Sequence, residues 1–184
     1  MATEDGFFKV LRDDYRKHGG FRNLALFAIV TYRFGQWVDL QPYLIRIVLT
    51  RIYGLMSLWV EFATDITISK EVQTGKGLHL IHSGNIRIHP KAIIGDCVGI
   101  MHDVTIGETM GREGVPVIGN HVFIATGAKI LGPVKVGDGA HIGPNSVVLS
   151  DVPAGATAMG VPARIVPAWS NSNSNQAKPS SKTD

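Results

Sequence analysis

From Ile118 onward an aliphatic residue returns at every sixth position: Ile118, Ile124, Ile130, Val136, Ile142 and Val148. A small or branched residue follows each one four places later: Val122, Ala128, Val134, Ala140, Ser146 and Val152. Upstream the same rhythm runs through Ile88, Ile94, Ile100 and Ile106, with Ala92, Val98 and Val104 in the small slot. A third stretch covers Ile66, Val72 and Leu78. An amphipathic helix repeats at about 3.6 residues and a strand at about two, so a period of six is neither. Short internal periods mark solenoids, and hexads mark a parallel β-helix: each hexad is a short strand plus a turn, and three close a triangular coil. The aliphatic fills the prism, the small residue fits the crowded corner, and each coil buries its aliphatics only against its neighbours. A β-sandwich holds no fixed six-residue register.

Before the repeat, the pattern predicts helices over "FFKVLRDDYRKH", "NLALFAIVTYRFGQWVDL" and the segment from Tyr43, with breaks at Gly19-Gly20 and Gln41-Pro42. Three regions result: a helical region over residues 1–64, the β-helix over 65–166, and a polar, low-complexity tail over 167–184 that reads as disordered. Open β-helix ends need covering. The helices can cover one end and "DVPAGATAMGVPARIV" the other. The apolar segment Tyr43–Val60 carries Arg46 and Arg51 near its middle, which is costly in a bilayer. It reads as a helix that packs on protein or lies on a membrane surface, not one that spans.

Composition narrows the partners. A net charge of +3 with no basic stripe interleaved with aromatics gives no reason to expect nucleic acid. The single cysteine, Cys97, excludes an internal disulfide framework and a multi-cysteine metal site, so a reducing cytoplasm is the expected home. The acidic start lacks the charged and apolar regions of a signal peptide.

The register breaks twice. Between Ile106 and Ile118 the polar "GETMGREGVPV" reads as a loop thrown out from a coil edge. The other break lies in "GLHLIHSGNIRIHP". If Leu78 opens a hexad, His82 falls in the small slot, and Ile88 arrives with four residues to spare. The insertion, near "SGNI", lets the chain leave the prism so that His82 can face outward, between subunits. A neutral histidine is the natural general base near pH 7, and it needs a partner to hold its tautomer. Asp65, about one coil earlier, is the candidate. No nucleophilic serine or cysteine motif stands beside the pair, which favours direct activation of a substrate hydroxyl.

The stretches "GLHLIHSGNIRI", "IIGDCVGIMHDVTIGET" and "VIGNHVFIATGAKILGPVKVGDGAHIGPNSVVLSDVPAGATAMGVPARIV" resemble the serine acetyltransferase family and its relatives in bacterial exopolysaccharide gene clusters. The resemblance is strong over about residues 65–166 and weaker over 21–63. It implies a left-handed parallel β-helix, acetyl-CoA as acyl donor, no metal, and a homotrimer with coenzyme A in the groove between subunits. It implies a catalytic dyad of His82 and Asp65, with backbone N–H groups on the oxyanion. By motif position, Ala125, Gly127 and Gly143 would line the pantetheine arm, and Arg164 would meet a phosphate. His102, about one coil after His82, and the loop residues Glu108 and Arg112 are candidates for the acceptor. His79 reads as a neighbour of the site, and Cys97 as buried and inert.

Two departures bear on the acceptor. Serine acetyltransferases usually carry an aspartate just before the catalytic histidine, where this chain has Ile81, and a second histidine in the long loop, about where Val115 stands. The expectation is therefore a sugar hydroxyl on a polysaccharide or its precursor, with serine as the alternative. The helices of residues 21–63 suit peripheral membrane contact or trimer packing equally. A zinc carbonic anhydrase of the same fold would need an H-x-x-x-x-H pair, and no two histidines here are five apart. A non-catalytic scaffold is the remaining alternative, because fold alone does not establish function.

Overall fold

The structure, a computed structural model, describes residues 7–17 and 24–166. The predicted Gly19-Gly20 break and the predicted polar tail lie outside the described residues. Three helices lead: α1 (Phe7–Lys17), α2 (Ala25–Asp39) and α3 (Tyr43–Thr64). Pro42 opens α3, and Asp65 closes it in the left-handed region at φ 52°, its N–H bonded to Glu61 O at 2.9 Å.

The chain then winds into coils of short parallel strands. The first coil is β1 (Ile66–Ile68), β2 (Gln73–Thr74) and β3 (His79–Leu80); the second is β4 (Ile86–Ile88), β5 (Ile93–Ile94) and β6 (Gly99–Ile100). The third is β7 (Thr105–Gly107), β8 (Val117–Ile118) and β9 (Phe123–Ile124); the fourth is β10 (Lys129–Leu131), β11 (Lys135–Val136) and β12 (His141–Ile142). The fifth has β13 (Val147–Val148), a bridge from Val152 to Val136, and β14 (Thr157–Gly160); β15 (Ala163–Val166) turns back antiparallel to β14. Strands stack into three faces: β1-β4-β7-β10-β13, then β2-β5-β8-β11, then β3-β6-β9-β12-β14-β15. The interior is the expected aliphatic stack, with Ile100, Ile106, Ile124 and Ile130 fully buried. Ala92, Ala128, Ala140 and Ser146 are buried in the small slots.

The first coil corrects the register read from the sequence. Ile68, Thr74 and Leu80 lie beside Ile88, Ile94 and Ile100, so Leu80 and not Leu78 is the anchor of the third face. The excess before Ile88 is therefore two residues, not four. A hexad has two inward slots flanking one outward residue. In this coil both slots hold large aliphatics, Leu78 and Leu80, while the true anchor on the second face is Thr74. Hydrophobicity alone cannot tell the slots apart there.

The first coil has no coil above it, and α2 supplies the missing partners. Tyr32 Oη donates to Val72 O (2.7 Å) and lies 3.0 Å from Thr74 Oγ1; Arg33 Nη2 donates to Gly75 O (2.6 Å). Arg33 Nε donates to Asp14 Oδ2 at 2.8 Å, which ties α1 to the cap, and both side chains are buried. Helix α3 leans on α2 where Gly35 meets the Tyr53 ring: an added Cβ would come within 2.5 Å of it. Of α3 only Val60 and Thr64 are buried. Its outward row, Leu44, Val48, Leu55, Leu58 and Phe62, is exposed, Phe62 to 92%. By length and composition α3 could cross a membrane.

The Asp14–Arg33 pair sets up a stability contrast. Asp14→Ala strands a buried guanidinium and is expected to cost about 3–5 kcal/mol. Asp39→Ala breaks only the partly exposed Lys70–Asp39 pair and should cost under about 1 kcal/mol. Urea unfolding of both variants decides; equal losses would show that Arg33 is not held by this pair.

Candidate functional site

The corner between the third and first faces gathers polar side chains that the repeat does not require. Two residues past each third-face anchor stand His82, after Leu80; His102, after Ile100; and Thr126, after Ile124. Stacking turns this spacing into contact. The rings of His82 and His102 are 5.8 Å apart, edge to face, and His102 Nε2 lies 2.8 Å from Thr126 Oγ1. His82 has no hydrogen-bond partner among the described residues of its own chain, so its imidazole is available to a ligand or a second copy.

The next column carries the bend. Asp65, Asn85, Asp103, Gly127 and Asn145 all take positive φ, between 44° and 74°. Short polar residues and glycine are the types that tolerate this region. At Gly127 glycine is needed twice over, because a Cβ would also fall 2.0 Å from Asn145 Oδ1. The two extra residues of the first coil, about Ser83-Gly84, enter immediately before this column.

Beyond the bend come the outward residues of the first face, Thr67, Arg87, Thr105 and Lys129, side by side. Lys129 Nζ donates to Asp103 O (2.7 Å) and Asp103 Oδ1 (2.9 Å), and Asn85 Nδ2 donates to the same Oδ1 at 2.6 Å. The Lys129 ammonium, helped by Asn85, holds the Asp103 carboxyl below the usual carboxylate range. Asp65 does not face His82. Its Oδ1 accepts from Arg87 Nη2 at 3.2 Å. Arg87 Nη1 also donates to Thr67 Oγ1 at 3.2 Å, and lies 4.0 Å from Glu61 Oε1.

The candidate donor-binding residues fall on the same edge. Ala125 and Gly143 follow the third-face anchors Ile124 and Ile142, and Gly127 sits in the bend. Arg164 on β15 pairs with Met159, next along from Gly143. Five strand steps separate β3 from β15, about 24 Å at the usual inter-strand spacing. Met159 packs over Gly143: an added Cβ there would meet Met159 Cγ at 2.6 Å. Ala125, Gly127 and Gly143 are themselves buried, and only Arg164 at the end of the edge is exposed.

The loop candidates lie elsewhere. Glu108 and Arg112 sit at the opposite edge of the first face, where Glu108 Oε1 is 3.5 Å from His89 Nε2 and Arg112 Nη1 donates to Leu149 O at 2.7 Å. They line a hollow of about 710 Å³ with Lys91, Glu113 and Val115. One chain does not bring them to His82. His79 lies on the outer third face, His141 tilts against Phe123 at 6.1 Å, and Cys97, half-buried with φ 56°, bends the remaining corner beside His121. Among the described residues no group of three or more His, Cys, Asp or Glu could hold a metal ion.

Sequence reasoning missed Thr126, Lys129, Asp103, Asn85 and Arg87. The signal was there in the spacing. Counted from Leu80, His82, His102 and Thr126 share one offset, which the Leu78 reading hid.

Lys129→Met should raise the Asp103 midpoint toward the ordinary carboxylate range. A carboxyl whose folded value is lowered stabilises the fold above its unfolded value and loses that contribution as pH falls through the folded one. Carboxyl NMR titration reads this directly, and an unmoved midpoint would refute the contact.

A family model described as "Bacterial transferase hexapeptide (six repeats)" matches residues 116–150. The chain is 42% identical over 113 residues to a serine acetyltransferase of Helicobacter pylori strain J99, covering 60% of this chain and 66% of that one. It is 41% identical over 141 residues to the serine acetyltransferase of Escherichia coli K12, covering 76% and 50%. It thus spans between half and about two thirds of these curated relatives. Among solved structures, the Brucella abortus S19 serine acetyltransferase superposes with TM-score 0.72 at 31% identity, covering 90% of this chain and 70% of that one. A serine acetyltransferase in complex with CoA superposes with TM-score 0.74 at 30% identity, covering 89% and 71%.

Proposed function

The chain belongs to the hexapeptide-repeat acyltransferase family, and on that premise we propose that it is an acetyl-CoA-dependent O-acetyltransferase with His82 as general base. The observation that carries the reading is the corner itself: an available His82 stacked on His102, on a corner whose stacked strands lead to the exposed Arg164. Acetyl-CoA supplies an activated acetyl thioester. His82 takes the proton of the acceptor hydroxyl. Asp65, expected from the sequence to hold the imidazolium so formed, is paired with Arg87 in this structure. Thr126 occupies His102 Nε2 and leaves Nδ1 for the acceptor. By motif position, Ala125, Gly127 and Gly143 would present backbone to the donor's arm, and Arg164 would meet its phosphate.

We place L-serine first among acceptors, because the similar proteins named above are serine acetyltransferases. That reverses the order expected from the sequence. A sugar hydroxyl is the second reading, favoured by Ile81 and Val115, which cannot hold an amino acid's charged groups. We further propose a homotrimer, because only a second copy can bring Glu108 and Arg112 to the His82 corner. The exposed row of α3 then packs between copies, and the lone Cys97 suits a reducing cytoplasm.

His82→Ala should lower thiol release from acetyl-CoA by about 10²–10⁴-fold while leaving sedimentation unchanged. Retained activity would sink the base assignment. An acceptor panel of L-serine, hexoses and polysaccharide fragments separates the two readings, and failure to bind coenzyme A would return the protein to the scaffold alternative.

A further inference from the structure

The two imidazoles of the corner are held differently. His82 is exposed, and its ring meets only the edge of its neighbour among the described residues. His102 is tethered: Thr126 Oγ1 lies 2.8 Å from its Nε2. A tethered ring leaves one fixed nitrogen, Nδ1, to meet a ligand. The flanks of the column are occupied by other work. On the strand side, Ile81 and Phe123 close over the bare backbone of Gly99, where an added Cβ would meet Phe123 Cδ2 at 3.4 Å and Ile81 Cδ1 at 3.8 Å. That flank is apolar. On the bend side, the Asp103 carboxylate already accepts from Lys129 at 2.9 Å and from Asn85 at 2.6 Å. Polar recognition of a small ligand at this corner therefore falls to the imidazoles. Their rings stand 5.8 Å apart, edge to face. Each reaches a polar atom at about 2.8 Å, so two polar atoms on adjacent carbons can meet one imidazole each.

We propose that His102, positioned by Thr126, binds the polar group on the carbon next to the reacting hydroxyl, so that the acceptor is a 1,2-diol or a 1,2-amino alcohol and not an isolated alcohol. The inference rests on the acetyl-transfer reading and deepens it. In the transfer itself the reacting hydroxyl gives its proton to His82, and its oxygen bonds the acetyl carbon. The carbon–sulfur bond of the thioester breaks, and the coenzyme A thiolate takes the proton from His82. His102 moves no proton; it decides which hydroxyl lies at His82. Thr126 is the positioning residue, because its hydroxyl either donates to Nε2 or accepts from it. The first leaves Nδ1 protonated and the second leaves it bare. A neighbouring hydroxyl pairs with either form, an ammonium only with a bare Nδ1. The shared chemistry thus has two sources, a sugar ring and a hydroxy amino acid, and the tautomer separates them.

The test is matched acceptors with and without the neighbouring group, with thiol release from acetyl-CoA as the readout. One pair is L-serine against 3-hydroxypropionate, which lacks only the amine. The other is D-glucose against 4-hydroxytetrahydropyran, a similar ring with one isolated hydroxyl. In the natural protein the bifunctional member of one pair should be preferred by about 10-fold or more in kcat/KM, the order of one hydrogen bond whose partner is left unpaired. Which pair shows the preference tells amino acid from sugar. In Thr126→Val, close in shape but without the hydroxyl, the preference should collapse; in Thr126→Ser it should be kept. Circular dichroism checks that both variants fold. Nitrogen NMR of the His102 ring should show one dominant tautomer in the natural protein and a mixture in Thr126→Val. The Nδ1 signal should move on adding the preferred acceptor and not its partner. A preference that survives in Thr126→Val overturns the inference. So does turnover in the natural protein with no preference in either pair, and that result leaves acetyl transfer standing. No thiol release with any of the four acceptors defeats acetyl transfer itself, and this inference with it.

Discussion

The coil-to-coil hydrogen-bond ladder is the constraint on which everything else depends. Each outward residue sits beside its counterpart one coil away because its backbone is fixed there, as Phe123 N is to Ala140 O at 3.0 Å and Lys129 N to Ser146 O at 2.8 Å. The ladder leaves the side chains no choice of neighbour. A histidine at one level therefore meets a histidine at the next, and a threonine after that, without any tertiary packing of its own. The rigid prism spends its hydrophobic residues inside, so a chemically useful column costs the fold nothing if it lies outside. It need only keep left-handed backbone tolerable at the bend, which Asp65, Asn85, Asp103, Gly127 and Asn145 do.

A ladder must end, and its ends set the position of the site. The first coil offers Val72 and Gly75 carbonyls with no strand above. Tyr32 and Arg33 meet them from α2, and Asp14 neutralises Arg33 in turn. Two helices are thus pinned at the top of the prism. The third descends into the His82 corner through Asp65, so one residue closes a helix, begins a coil and faces Arg87. The cap and the corner thus share one residue, Asp65.

The fold was legible because its period is unlike that of a helix or a lone strand, and because each coil repeats the signal. The helices were legible from spacing and from Pro42. The first coil was misread where physical signals compete: Leu78 and Leu80 are both large and buried, and Thr74 stands where an aliphatic was expected. His82 still stood out, because a histidine fits neither inward slot. Its surroundings did not. Thr126 and Lys129 lie more than forty residues away in sequence and meet the corner only through stacking. Arg87 was passed over because an outward arginine on a strand is ordinary; only its hold on Asp65 makes it informative.

Glu108 and Arg112 lie across the first face from His82, and a prism cannot fold one edge onto another. A rigid scaffold of this shape has just one way to unite residues on different edges, which is to set a second prism beside the first. On the proposed homotrimer, the base would come from one copy and the loop from the next. The exposed row on α3, from Leu44 to Phe62, lies on a helix anchored to that same corner. Contact between copies would shelter its apolar surface and close the site in a single step.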